Sequence, residues 1–245
     1  MGIITTASER GPRGAQEDRL VAVSLRDGWL LAVLDGHNGS VVSDFCAERL
    51  PALAQEVWVT SRKDVGEYNF LRTIIRMLHD ETSHHIAGST ISLAHINEEE
   101  HCVDVAILGD SPVVISLKDD RFWVSTEHNV RSHAEDRQFV ESRGALVDRG
   151  YISIPEDGYT SGLQLSRALG DARFDKYLIR EPDCSSIELD SKSVVAVMSD
   201  GVYDPRTIRR VGDLVSLSIK DAPSIVSDAL KRGTHDNVSA IVWRA

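Results

Sequence analysis

Cysteine is scarce in this 245-residue chain: Cys46, Cys102 and Cys184 are odd in number and far apart. That excludes a secreted disulfide framework and the paired spacing of a structural zinc site, and a reducing compartment is expected. Long apolar runs are missing too. No stretch approaches the roughly 20 residues that span a bilayer, and Met1-Gly2-Ile3-Ile4 has no basic segment leading into an apolar one. Residence away from the membrane is expected, in the cytoplasm with the nucleus left open. Gly2 and Thr6 match a myristoylation pattern, but so short a pattern recurs by chance. Positive charge is in deficit, since 27 Lys and Arg against 38 Asp and Glu leave a formal charge of −11. Such a surface repels nucleic acid and anionic lipid, so a metal ion or a basic protein is the better partner. Repeats, low-complexity tracts and linkers are absent, and 42% hydrophobic residues suffice for one core. One monomeric domain over residues 1–245 is expected.

What is present is a series of short apolar runs. Trp29 to Leu34 stops at Asp35-Gly36-His37 and predicts a buried strand delivering a polar turn. Ser40 to Trp58 has helical spacing, with Pro51 expected to kink or break it. Tyr68 to His85 predicts a second helix. Thr90 to Ile96, Val103 to Leu108 and Val113 to Leu117 are expected to form an antiparallel meander. His133 to Arg143 predicts a charged helix, and Arg149 to Gly162 a surface loop. Two further strands, Ser193 to Met198 and Val238 to Trp243, enclose helices at about Thr207 to Ile219 and Ser224 to Arg232. Grouped strands with separately clustered helices predict an α+β fold of packed antiparallel sheets covered by helices.

The acidic residues follow one grammar. Asp35, Asp110 and Asp200 end apolar runs, Asp236 precedes one, and Glu17-Asp18 precedes Leu20 to Val23. Strand ends are rigid places from which carboxylates converge, and converging carboxylates need raised pKa values or a multivalent cation. Oxygen donors without cysteine favour Mg²⁺ or Mn²⁺ over structural zinc. Taken singly, each is an ordinary turn former beside Gly or Asn.

Arg13-x-x-x-Glu17-Asp18, Asp35-Gly36-His37-x-Gly39, Gly88-Ser89-Thr90, Gly109-Asp110-Ser111, Ser166-Arg167-Ala168-Leu169-Gly170-Asp171, Ser199-Asp200-Gly201 and Asp236-Asn237 occur in that order. An ordered set is far more specific than one short pattern, and from about residue 8 to 243 the chain resembles the metal-dependent type 2C protein phosphatases. The resemblance implies an α-β-β-α sandwich, with two antiparallel sheets face to face and helices outside. It implies two ions, Mn²⁺ or Mg²⁺: Asp35 bridging them, the Gly36 carbonyl on one, Asp200 and Asp236 on the other, Glu17 and Asp18 holding metal-bound waters. A water between the cations would supply the nucleophile without a covalent phospho-enzyme. Arg13 would bind the phosphate of a phosphoserine or phosphothreonine protein. His37 would protonate the leaving oxygen, a contribution typically worth about 10² to 10⁴ in rate. For Asp110 two readings stay open, a third and weaker metal position or a plain hairpin turn. Arg167 and Asp171 are expected to fix the fold as a pair, and Gly88-Ser89-Thr90 to be structural.

Departures from the family pattern are Pro112 after Gly-Asp-Ser, Glu127-His128-Asn129-Val130 in place of Asp-His-Lys-Pro, and Gly144-Ala145 in place of Gly-Gly. These are expected near surfaces that shape substrate approach, with residues 149–161 as a variable flap. The alternatives are a pseudophosphatase acting as a regulatory binding module, disfavoured by retention of Arg13, Asp35, His37, Asp200 and Asp236, and a hydrolase of small phosphate esters or nucleotides, disfavoured by the lack of a phosphate-loop pattern.

Overall fold

Apolar residues on both faces of a strand require cover on both faces, and the run Leu30 to Leu34 is buried throughout. The computed structural model describes residues 2–61, 69–160, 162–203 and 211–245. The first strands are β1 (Ile3–Glu9), β2 (Arg19–Leu25), β3 (Gly28–Leu34) and the short β4 (Gly36–His37), followed by helices α1 (Val41–Ser61) and α2 (Asn69–Thr82). Next come β5 (Gly88–Ser89), β6 (Ile91–Asn97), β7 (Cys102–Leu108), β8 (Val113–Ser116) and β9 (Phe122–Val124). An insert follows, with α3 (Ala134–Ser142), β10 (Leu146–Asp148), β11 (Tyr151–Ser153) and β12 (Leu169–Gly170). The chain finishes with β13 (Asp183–Glu188), β14 (Val194–Met198), α4 (Val211–Ser218), α5 (Ala222–Lys231) and β15 (Val238–Arg244).

Two antiparallel sheets result, in the orders β13-β7-β6-β3-β2 and β1-β15-β14-β8-β9. The two-residue periodicity of a strand sends Leu31 and Val33 inward against Val195, Val197, Ile241 and Trp243 of the other sheet. Leu30, Ala32 and Leu34 point outward under α1 and α2, where Leu50, Leu53, Leu71 and Ile75 cover them. α4 and α5 cover the second sheet through Leu214, Ile225 and Ala229. This is the expected α-β-β-α sandwich. Each such valine, leucine or isoleucine contributes about 1.5–3 kcal/mol on burial. Among the described residues, no helix is long and apolar enough to cross a membrane.

Three expectations need correction. α1 runs unbroken through Pro51, which sits on the exposed side, where a carbonyl deprived of its N–H partner can turn to water, while Leu50, Leu53 and Ala54 anchor the buried side. The meander is also incomplete. β6 and β7 pair with each other, but β8 crosses to the other sheet and pairs with β14 and β9, because Gly109 to Pro112 carries the chain between layers. Finally, residues 149–160 do not form a plain loop. Val147 faces Ile152 across a hairpin, and both are buried in a small core under α3. Its turn, Arg149-Gly150, has φ of 50° and 82°, the positive pair of a type I′ turn. Tyr68, Ser161 and the predicted helical residues 207–210 lie outside the described residues.

Antiparallel pairing decides where the strand ends go. Arg19 lies opposite Leu34, Met198 opposite Ala240, and Glu9 opposite Val238. The ends of β1, β3, β7 and β14 and the starts of β2 and β15 therefore share one edge of the sandwich.

Candidate active site

At that edge, Arg13, Glu17, Asp35, Gly36, His37, Asp110, Asp200 and Asp236 border one cavity of about 210 Å³, walled on one side by Leu163, Gln164 and Leu165. Asp18 lies behind it, 2% exposed. The structure thus gathers every residue that the sequence singled out for the site.

Backbone bonds fix the turn at Asp35. Its N–H donates to Thr90 Oγ1 at 3.1 Å, and its carbonyl accepts from the Thr90 N–H at 2.9 Å. Thr90 Oγ1 lies 2.7 Å from Ser111 Oγ, which ties this turn to the one bearing Asp110. The Gly88-Ser89-Thr90 segment is structural, as expected, but it supports the site directly. Asn237 performs the same service on the other side. Its Oδ1 accepts from the Glu17 N–H at 2.8 Å, and its Nδ2 donates to the carbonyls of Arg10 and Ala15 at 2.8 and 2.9 Å, so the loop carrying Arg13 is tied to β15. Arg13 Nε donates to the His235 carbonyl at 2.9 Å while the far end of the guanidinium pairs with the Asp236 carboxylate.

Asp110 is not on a hairpin, since the strands it joins belong to different sheets. Its Oδ2 accepts from Asn129 Nδ2 at 3.1 Å. His128, Asn129 and Val130 are buried, because they pack beneath Asp110 and against the small core under α3. Arg167 does not pair with Asp171. It donates to both oxygens of Asp136, each at 2.8 Å, and to Asp183 at 2.7 Å. Asp171 instead faces His37, with Nε2 at 2.8 and 3.0 Å from its two oxygens. The sequence reading left Asp171 out of the site. Only its place in the Ser-Arg-Ala-Leu-Gly-Asp motif marked it, and nothing in that motif points to a histidine far earlier in the chain.

The electrostatics follow from burial among like charges. Burial pushes Asp18 up to about 6, with Asp236 adding to the effect, and pushes Asp110 up to about 6 despite the Asn129 hydrogen bond. Asp35 and Asp200 are held well above the usual carboxylate range by burial and by the neighbouring aspartates. For His37, burial lowers the pKa, but the hydrogen bond and charge of Asp171 outweigh it and the net direction is up.

The donor chemistry fits hard cations. Every candidate ligand is an oxygen, the acids repel one another, and Asp18 Oδ1 is buried without a hydrogen-bond partner while Oδ2 accepts from Ser199 at 2.8 Å. Among the described residues, no three His, Cys, Asp or Glu side chains stand close enough to cage an ion as they are. The oxygens surround the cavity, and Asp236 is turned to Arg13.

A profile of the family described as Protein phosphatase 2C matches residues 20–238. The chain is 27% identical over 251 residues to the probable protein phosphatase 2C 71 of Arabidopsis thaliana, covering 97% of this chain and 54% of that protein, so it spans about half the relative's length. A structure described as a C. elegans sex determining protein superposes with a TM-score of 0.85 at 24% identity, over 99% of this chain and 64% of that one. The catalytic domain of the serine threonine protein phosphatase PstP in complex with 2 manganese ions superposes with a TM-score of 0.64 at 20% identity, over 99% of this chain and 97% of that one.

Proposed function

The chain belongs to the protein phosphatase 2C family, and we propose that it hydrolyses phosphoserine and phosphothreonine monoesters on proteins with two bound divalent cations. The observation that carries this reading is the convergence of Asp35, Asp110, Asp200 and Asp236 from separate strand ends on one cavity bordered by Arg13 and His37. Asp35, the Gly36 carbonyl, Asp200 and Asp236 would hold two ions, with Glu17 and Asp18 accepting hydrogen bonds from their waters and Asp110 joining Asp200 at a third, weaker position. Mn²⁺ and Mg²⁺ both suit these oxygens, and the manganese of the PstP structure supports the choice of Mn²⁺. When bound, the ions polarise the attacking water and offset phosphate charge.

The protein's own groups do the rest. Arg13 is half exposed at the rim, and its planar fork of donors suits two phosphate oxygens. His37 gives its proton to the departing serine or threonine oxygen. Leu163 and Leu165 exclude water from one wall. We place the activity in the cytoplasm, acting in signalling as one monomeric catalytic domain over residues 1–245. Cysteines that remain free suit that compartment.

Phosphate release from a phosphothreonine peptide, with Mn²⁺ or Mg²⁺ and again with excess chelator, tests the reading. Metal-dependent turnover that Asp35→Asn abolishes is expected. A folded protein that releases no phosphate with either metal would overturn it and turn attention to the binding-module alternative.

A further inference from the structure

The short strands β4, β5 and β12 form a small sheet of their own, in the order β12-β5-β4. His37 and Gly170 are both in register with Gly88, one on each side. Asp171 follows Gly170 with φ of 53°, a left-handed conformation that aspartate adopts more readily than most side chains, and it aims its carboxylate back at the imidazole. Gly88 keeps the gap open, since a Cβ there would overlap both the Asp171 carboxylate and His37 Nε2. The Asp171 N–H donates to the Ala87 carbonyl at 3.0 Å, and its own carbonyl accepts from Phe174 at 2.8 Å, so the turn is held at both ends. Asp171 is 3% exposed and borders no part of the cavity, whereas His37 does. A buried carboxylate is thus committed to one ring nitrogen.

We propose that Asp171 is the positioning residue for His37: it holds Nε2–H, fixes the tautomer and ring plane, and leaves Nδ1 as the nitrogen that meets the leaving oxygen. The inference rests on the reading of His37 as proton donor. In the reaction, the bond from phosphorus to the serine or threonine oxygen breaks and a bond from the water oxygen to phosphorus forms. The leaving oxygen takes the proton from Nδ1, the attacking water's proton passes to solvent, and solvent reprotonates Nδ1 afterwards. Asp171 neither gains nor loses a proton, and its bond to Nε2–H lasts throughout.

Asp171→Asn is the decisive variant because asparagine is at home in the left-handed region, yet its amide offers the ring a donor as readily as an acceptor. We expect kcat on a phosphothreonine peptide to fall about 10- to 100-fold with KM changed less than about twofold. An aryl phosphate, whose leaving group needs no proton, should be turned over at close to the wild-type rate. Asp171→Glu should recover part of the loss, and in a His37→Gln background Asp171→Asn should cost nothing further. Equal losses on both substrates, or an undiminished loss in the His37→Gln background, would overturn the proposal. Nitrogen NMR of histidine-labelled, metal-free protein, at a pH where imidazoles are neutral, reads the tautomer without turnover. Nε2–H in the wild type with mixed tautomers in Asp171→Asn supports the proposal, and Nδ1–H in the wild type overturns it. Wild-type protein with Nε2–H at His37 but no phosphate release would sink the phosphatase reading alone.

Discussion

Two buried polar clusters meet at Asn129, and aspartate behaves oppositely in them. Around the cavity, burial and neighbouring carboxylates push Asp18 and Asp110 up to about 6 and hold Asp35 and Asp200 well above the usual carboxylate range. One residue away in sequence, His128 lies 2.9 Å from Asp183, and Arg167 grips Asp183 and Asp136 together. Burial works against ionisation there too. It is outweighed at Asp136 by the hydrogen bonds of Arg167 and Ser166, and at Asp183 by those of His128 and Arg167, so both acids are held below the usual carboxylate range. The second cluster contains a cation for each of its buried acids, whereas in the first Arg13 pairs with Asp236 alone and, among the described residues, Asp18, Asp35, Asp110 and Asp200 have no ion-pair partner. A fold that can neutralise buried acids internally, and does so beside a group of acids left without a matching cation, marks the latter as the place for a ligand from outside.

Removing a charge from each cluster should therefore have opposite consequences. Asp200→Asn is expected to lower metal-dependent turnover by about 10²- to 10³-fold or more. In chelator its melting temperature should be no lower than that of the wild type, because the lost charge was one its neighbours repelled. A metal-free variant melting several degrees lower would show that the acids stabilise one another after all. Arg167→Ala removes the side chain that pairs with both Asp136 and Asp183. Breaking a buried pair typically costs 3–5 kcal/mol, and since Asp183 is 44% exposed the expectation is about 3 kcal/mol, read as a lower denaturant midpoint. A loss below about 1 kcal/mol would place this cluster among dispensable surface pairs.

The first cluster was legible in the sequence and the second was not, for a physical reason. Asp35, Asp110 and Asp200 each stop a short apolar run, and the end of such a run marks a strand end, so local pattern alone locates the carboxylates at sheet edges. Antiparallel pairing then brings the edges together. Partners set by tertiary packing leave no such trace. Asp171 reaches His37, and Arg167 reaches Asp136 and Asp183, only through the register of short strands and the docking of α3. The type I′ turn at Arg149-Gly150 escaped notice because its first position carries an arginine where Asn or Asp is usual. The burial of His128 and Asn129 escaped because polar residues are ordinarily outside.

A third buried group tests whether the comparison generalises. His95, on β6, is 4% exposed, with Nε2 3.3 Å from Asp27 in the β2–β3 turn and Nδ1 3.9 Å from Asp104 on β7, and the rings of Trp58 on α1 and Phe70 on α2 pack edge-on against it. Burial lowers its pKa, but the bonds and charges of Asp104 and Asp27 outweigh that and raise it. A raised folded pKa means that charged His95 contributes stability fully below the unfolded value of about 6.5, and that this contribution is lost as pH rises through the folded value. The stability gap between wild type and His95→Gln should accordingly be fullest below about pH 6.5 and shrink as pH rises through the folded value, measured by denaturant unfolding in chelator. An unchanged gap would mean that His95 is held by aromatic packing alone. A shrinking gap would put His95 with Arg167, among cations that the fold supplies for its own buried acids, and leave Asp18, Asp35, Asp110 and Asp200 as the acids that must obtain theirs from solution.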